Sequence, residues 1–280
     1  MSFSAEWLAL REPVDHRSIN VELRAKVAAH LAQTNASPVR VMDMGCGSGS
    51  NLRALADHLG PLQHWTLVDW DEKLLAHARE AISAWGVNAH DDNSVLHVTR
   101  GDKQIAVSFH RADLARHVAH ELERPLDLVT AAAFFDLVSE DWMDGFAAAL
   151  AANGAPLYTT LTYNGVERWE PPHATDEPVL KAFHAHQHSD KGFGPAAGPG
   201  AADALVRSLS RQGYRVSSAA SPWIMDRADA RLIGDLAQGA AQAVRETGLV
   251  PSADIESWLA ARRNASACEI GHMDVFALKA

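Results

Sequence analysis

Residues 39–59 read VRVMDMGCGSGSNLRALADHL, and this stretch decides the fold. The apolar run from Val39 to Met44, with Val41 inside it and one acid at Asp43, predicts a buried strand. Gly45, Gly47 and Gly49 follow, leaving backbone bare where the chain must turn sharply. Helix resumes at Asn51, with Leu52, Leu55 and Leu59 at helical spacing, and stops at Gly60-Pro61. The helix N-terminus therefore points at whatever the glycines cradle.

The acid separates two ligand classes. A dinucleotide fingerprint wants G-x-G-x-x-G, whereas here the third glycine comes one residue early and Ser50 stands where glycine is needed. That disfavours a nicotinamide oxidoreductase. The run D-M-G-C-G-S-G over residues 43–49 instead resembles motif I of the class I S-adenosylmethionine-dependent methyltransferases. In that family the loop holds the methionine part of the cofactor. The resemblance implies S-adenosylmethionine as cofactor, with Asp43, Gly45, Gly47, Gly49 and Asn51 binding it.

The remaining elements follow in order. Two helical pieces, residues 6–12 and 16–32, flank Pro13, and Arg11 and Asp15 are placed to reach the site. His64 to Val68 is a second strand ending in Asp69, a carboxylate positioned to accept both ribose hydroxyls. Trp70 flanks the adenine, and Asp71 caps a helix from Glu72 to Trp85. Val95–Val98 and Ile105–His110 form a hairpin feeding the third parallel strand, which ends in FHRADLA. Family members place an acid here on the adenine amino group, which implies that Asp113 and the backbone of Leu114 do so, while Asp113 also caps the next helix.

Leu126 to Ala132 is a fourth strand, and the AFFDLVSEDWM that follows resembles motif IV, where the strand end faces the transferring methyl. The resemblance implies that Thr130, Ala131 and Phe134 line the cofactor, with Phe134 reaching substrate, and that Asp136 faces substrate. Ser139 and Gly154 bound the helix after it, and Ala155 to Thr162 is a fifth strand. From Tyr163 to Ala202 the pattern dissolves into a long mixed loop. Asp203 then caps a helix to Gly213, Tyr214 to Ser218 is a sixth strand, and helices over 229–246 and 252–263 precede a last strand, Met273 to Leu278.

Strands alternating with helices predict an α/β fold, a doubly wound, mostly parallel, seven-stranded sheet of the Rossmann-like class I methyltransferase type with helical cap insertions. The expected division is a single domain: an N-terminal helical cap (1–35), a cofactor-binding core (36–162), a substrate-cap insertion (163–202), and the C-terminal part of the sheet (203–280) with a helical insertion at 228–264. The caps leave from the carboxyl ends of the strands, where such sheets bind ligands. Within them, His173, His184 and Trp223 are candidate substrate contacts, and His188 and His272, with Asp136, are candidate catalytic groups. No metal is expected, although His184 and His188, four apart, share a helical face.

Composition narrows the partners. The chain has 280 residues, 47% hydrophobic and 21% charged, and only two cysteines, Cys46 and Cys268, too few for a disulfide framework. Its net charge of −10 and its lack of a basic stripe argue against nucleic acid. No apolar run is long enough to span a membrane, and the start of the chain lacks a secretory pattern, so the expected address is the cytoplasm. The expected activity is in-line methyl transfer to oxygen or nitrogen of a small molecule, by a monomer or homodimer. The alternatives are a protein or RNA methyltransferase and a non-catalytic module that binds S-adenosylmethionine.

Overall fold

The computed structural model describes residues 3–92 and 94–280. In chain order its elements are α1 (Ala5–Ser18), α2 (Val21–Thr34), β1 (Val39–Met44), α3 (Ser50–Leu55), β2 (Leu62–Asp69), α4 (Glu72–Trp85), β3 (Val87–Asp91), β4 (Val95–Arg100) and β5 (Lys103–Arg111). They continue with α5 (Leu114–Glu121), β6 (Leu128–Ala132), α6 (Glu140–Asn153), β7 (Leu157–Glu170), α7 (Asp176–Gln187), α8 (Ala201–Arg211), β8 (Tyr214–Ala220), β9 (Trp223–Met225), α9 (Ala230–Thr247), α10 (Ser252–Arg262) and β10 (Ala267–Lys279).

All ten strands join one sheet in the order β3-β4-β5-β2-β1-β6-β7-β10-β8, with β9 on the outer half of β10. Strands β5, β2, β1, β6 and β7 are parallel, while β10 runs antiparallel between β7 and β8. The seven expected strands form this central order; β3, β4 and β9 are additions at the margins. Strand alternation sorts the core into two layers. Val39 and Val41 of β1 pack with α2, α3 and α4 on one face, and Met42 and Met44 pack with α5, α6 and α8 on the other.

A third apolar cluster caps the carboxyl ends of the strands. It joins Val14 of α1, Tyr163 and Trp169 of β7, Val179 of α7, Trp223 of β9, Leu232 and Ile233 of α9, and Trp258 of α10. This corrects the reading of residues 163–170 as loop, for β7 continues to Glu170 and pairs with β10 all the way to Ala267. Gly165 and Glu167 hide the alternation of Tyr163 and Trp169, and the ladder to a distant partner supplies what local propensity lacks.

Two more expectations shift. α1 runs through Pro13, and the chain breaks instead at Ile19 and Asn20, where the Asn20 side chain caps α2. α8 starts at Ala201, so Asp203 lies in its first turn and not at the cap. The caps expected at Asp71, Ser139 and Asp113 form, and Gly154 ends α6.

Asp274 ties the N-terminal helices to the sheet. Its buried carboxylate accepts the backbone N–H of Asn20 (2.8 Å), that of Leu161 (2.9 Å) and the Tyr158 hydroxyl (3.4 Å). Leu161 has φ 58°, a left-handed conformation costly for a branched side chain, and the Asp274 bond holds it where β10 bulges between Met273 and Val275. Asp274→Ala leaves two N–H groups unpaired. It is expected to lower unfolding free energy by about 2 to 4 kcal/mol in urea titration.

Candidate active site

The glycine loop is set by what surrounds it. Gly45 has φ 61°, and a Cβ there would fall 2.7 Å from the Phe134 ring. Gly47 has φ 50° and donates its N–H to Oδ2 of Asp69 at 2.9 Å, while the N–H of Asp71 goes to Oδ1 at 2.9 Å. The Asp69 side chain lines the cavity, where a carboxylate suits a pair of vicinal hydroxyls. Burial raises the carboxyl's pKa.

Beneath the loop, the Asn51 amide donates to Oδ1 of Asp43 (2.7 Å) and to the Thr130 hydroxyl (3.0 Å). These bonds join β1, α3 and β6 directly under the cradle. Oδ2 of Asp43 is buried without a partner, and desolvation pushes this carboxyl up to about 7. An unpartnered carboxylate oxygen beside bare backbone fits the ammonium of a methionine moiety.

The cavity has a volume of about 840 Å³, near the top of the range of roughly 300 to 1,000 Å³ for small-molecule sites. Asp43, Gly45, Gly47, Asn51, Asp69 and Trp70 line its cofactor side, together with Asp113, Leu114 and Phe134. Gly49 starts α3 and does not line it. Trp70, 54% exposed, stands at the rim. Asp113 spends its side chain capping Ala115, so it presents a partly engaged carboxylate. Thr130 and Ala131 lie one step below the wall, and Ala132 and Ala133 line it instead. The reason is register: Thr130 turns down to Asn51.

The roof is α1. Leu8, Arg11, Asp15 and Ile19 line the cavity, and their spacing of three, four and four residues is a single helical stripe. That stripe is the sequence signal by which Leu8 and Ile19 join Arg11 and Asp15. Arg11 grips Asp15 with two bonds of 2.8 and 3.1 Å, and burial still raises the Asp15 pKa. His16 reaches Ser50 Oγ at 2.9 Å, and Glu12 pairs with Arg53, which also donates to the Ser48 carbonyl. Thr160, Leu161, Lys191 and Phe193 complete the far wall, and no motif in the sequence distinguishes them.

The cap histidines scatter. His184 Nε2 lies 3.1 Å from the Tyr163 hydroxyl, which donates to Glu167 at 2.9 Å. His186 meets Glu246, His188 meets the Ala196 carbonyl, and His173 meets Thr175. None of these four lines the cavity, and among the described residues no three metal-ligating side chains converge. His272, Trp223 and Asp136 lie just behind the wall near Arg11. The Arg11 guanidinium is 4.8 Å from the Trp223 ring centre, and His272 is 5.0 Å from the same ring. Burial, then the Arg11 charge, pushes His272 down to about 3; burial pushes Asp136 up to about 6.

Residues 41–154 match a family model described as a methyltransferase domain. No curated protein matches the chain. Solved structures similar to it include a SAM-dependent methyltransferase from Thiobacillus denitrificans in complex with S-adenosyl-L-homocysteine, at 19% identity and TM-score 0.46 with all of both chains covered. Another from Geobacter sulfurreducens, also with S-adenosyl-L-homocysteine, has 16% identity and TM-score 0.45 with all of both chains covered. A cyclopropane-fatty-acyl-phospholipid synthase-like protein from Lactobacillus casei has 14% identity and TM-score 0.49 over 95% of this chain and 98% of that one. The match begins within β1 and runs to the end of α6, the part of the chain that carries the glycine loop, Asp69 and Asp113.

Proposed function

We propose that the protein is an S-adenosylmethionine-dependent methyltransferase that acts on oxygen or nitrogen of a small molecule held in the cavity. The observation that carries this reading is the cavity beside α1: Leu8, Arg11 and Asp15 line one side of a pocket of small-molecule size at the carboxyl ends of the strands. The net charge of −10 also repels a phosphate backbone. Among the described residues no helix is long and apolar enough to cross a membrane, and we place the protein in the cytoplasm, as monomer or homodimer.

S-adenosylmethionine, when bound, supplies a methyl carbon already activated by a sulfonium, so the protein's work is alignment and exclusion of water. Asp69 holds the ribose hydroxyls, Asp113 and the Leu114 backbone hold the adenine, and Trp70 covers it. Asp43 and the glycine-loop backbone hold the methionine end. Ala132, Ala133 and Phe134 set the depth at which the reacting carbon stands.

Radiolabelled methyl donor incubated with a cell extract separated by size tests the substrate class. Label is expected in the fraction of small molecules; label entering protein or RNA defeats the reading. Asp69→Ala is expected to weaken S-adenosylhomocysteine binding by about 1 to 3 kcal/mol in calorimetry.

The Asp43 carboxyl gives a pH dependence. Its raised pKa of about 7 means that the free protein holds the proton below neutrality, whereas an ammonium selects the ionised form. Affinity for S-adenosylhomocysteine should therefore rise about ten-fold from pH 6 to pH 8. Asp43→Asn should flatten that profile.

A further inference from the structure

A second, smaller cavity of about 240 Å³ opens among β7, α7, α9 and α10. It shares no lining residue with the main cavity. Its volume lies below the range of roughly 300 to 1,000 Å³ for drug-sized ligands, so whatever it holds is small. Glu167, Asp176 and Glu177 supply three acids to its lining, Trp169, Phe183 and Trp258 supply three aromatic rings, and the rest is aliphatic. Among the described residues no lysine or arginine lines it.

The acids hold the aromatic walls in place. Trp258 donates its indole N–H to Oδ1 of Asp176 at 2.8 Å, and Trp169 donates to Oε2 of Glu167 at 3.4 Å. The two indoles meet at 76° with their ring centres 5.6 Å apart. Electron-rich rings set at a corner beside a carboxylate make the arrangement that recognises an alkylammonium ion: the rings attract the cation and its alkyl part, and the carboxylate pairs with the nitrogen.

The charge balance singles out Glu167. Asp176 has its counter-ion in Arg262, which is 2.9 Å away, wholly buried, and also bonded to the Pro171 carbonyl. The Arg262 guanidinium stands 6.0 Å from the Trp169 ring centre. Glu177 is exposed in the first turn of α7, where the helix dipole favours an acid. Glu167 stands in a strand, and its partners are two neutral donors, the Tyr163 hydroxyl at 2.9 Å and the Trp169 indole. His184, which shares that hydroxyl, is kept neutral by burial. Burial likewise pushes the Glu167 carboxyl up to about 7, as befits an acid without a cation. A glutamine carbonyl, with two lone pairs, can accept both bonds, so the hydrogen bonds do not account for the charge. A buried carboxylate of this kind costs stability, and a bound cation offsets that cost.

We propose that the second cavity binds a small organic ammonium ion, with its alkyl part against Trp169, Trp258 and Phe183 and its N–H groups on Glu167. The site is separate from the one assigned to the methyl donor, and it does not depend on that assignment.

Ligand-observed NMR on the full chain at pH 8 compares butylammonium, butanol and butyrate, three probes of one length that differ in charge. Butylammonium is expected to bind at least about ten-fold more tightly than butanol, and butyrate more weakly than both. Glu167→Gln, which keeps the size and an accepting oxygen, should bring butylammonium down to the level of butanol. In protein-observed spectra the indole N–H signals of Trp169 and Trp258, identified with Trp169→Phe and Trp258→Phe, should move as butylammonium is added, while that of Trp70 in the main cavity stays. That reading locates the ion even if Glu167→Gln does not fold. Saturating S-adenosylhomocysteine should leave the butylammonium affinity within about two-fold. No binding of butylammonium, equal binding of butanol, a preference that survives Glu167→Gln, movement of Trp70 in place of the other two, or competition with S-adenosylhomocysteine overturns the proposal. Failure of S-adenosylhomocysteine to bind strikes the methyltransferase reading and leaves this one standing.

Discussion

The amide of Asn51 is the constraint on which the site depends. One nitrogen, Nδ2, serves both the Asp43 carboxylate at the end of β1 and the Thr130 hydroxyl in β6. An amide in water would exchange such partners freely. In the dry interior each bond is worth more and its loss leaves a polar group stranded. With both strand ends pinned to the first turn of α3, the intervening glycines have one path open to them, and that path brings the Gly47 N–H onto Asp69. The five residues come from five segments of chain, Asp43 in β1, Gly47 in the loop, Asn51 in α3, Asp69 in β2 and Thr130 in β6.

From that fixed floor the enclosure follows by packing. Parallel strands deliver their carboxyl ends to one edge, and a ligand bound there needs a cover if water is to be kept out. Here β7 and β10 carry on past the sheet as a paired ribbon, so the cap grows from the same strands that carry the floor. Tyr163, Trp169 and Trp223 anchor α9 and α10 to the ribbon. The wall and the floor of the cavity are thus carried by the same strands.

Much of this was legible in the sequence, for reasons that differ from residue to residue. The glycine loop, Asp69 and the helix caps are local: each needs only a few neighbours in the chain, and short-range chemistry sets its conformation. The extension of β7 was not legible, because Tyr163 and Trp169 become strand only through a partner a hundred residues away. The histidines misled by abundance. A histidine within a loop of mixed polarity has many possible partners, and Glu246, Tyr163 and the Ala196 carbonyl take up three of them. Thr130 and Ala131 missed the wall by one position, since a strand's alternation is exact but its phase is set by contacts the sequence does not display. Arg11 and Asp15 were within reach of sequence reasoning because helical periodicity is robust even over a proline.

α1 buries only Val14 and Asp15. Trp7 and Leu10 pack partly buried on the cap cluster, and the rest of its hold on the body of the protein is ionic and polar: Glu12 to Arg53, His16 to Ser50, Arg17 to Asp229 and Glu6 to Arg231. Charges at a surface are screened over about 8 Å at physiological ionic strength and over less in stronger salt, whereas the apolar clusters that hold the sheet gain from salting out. Raising the salt thus acts on the roof and the floor in opposite directions. Ionic strength thereby shifts the balance between the cover and the sheet beneath it.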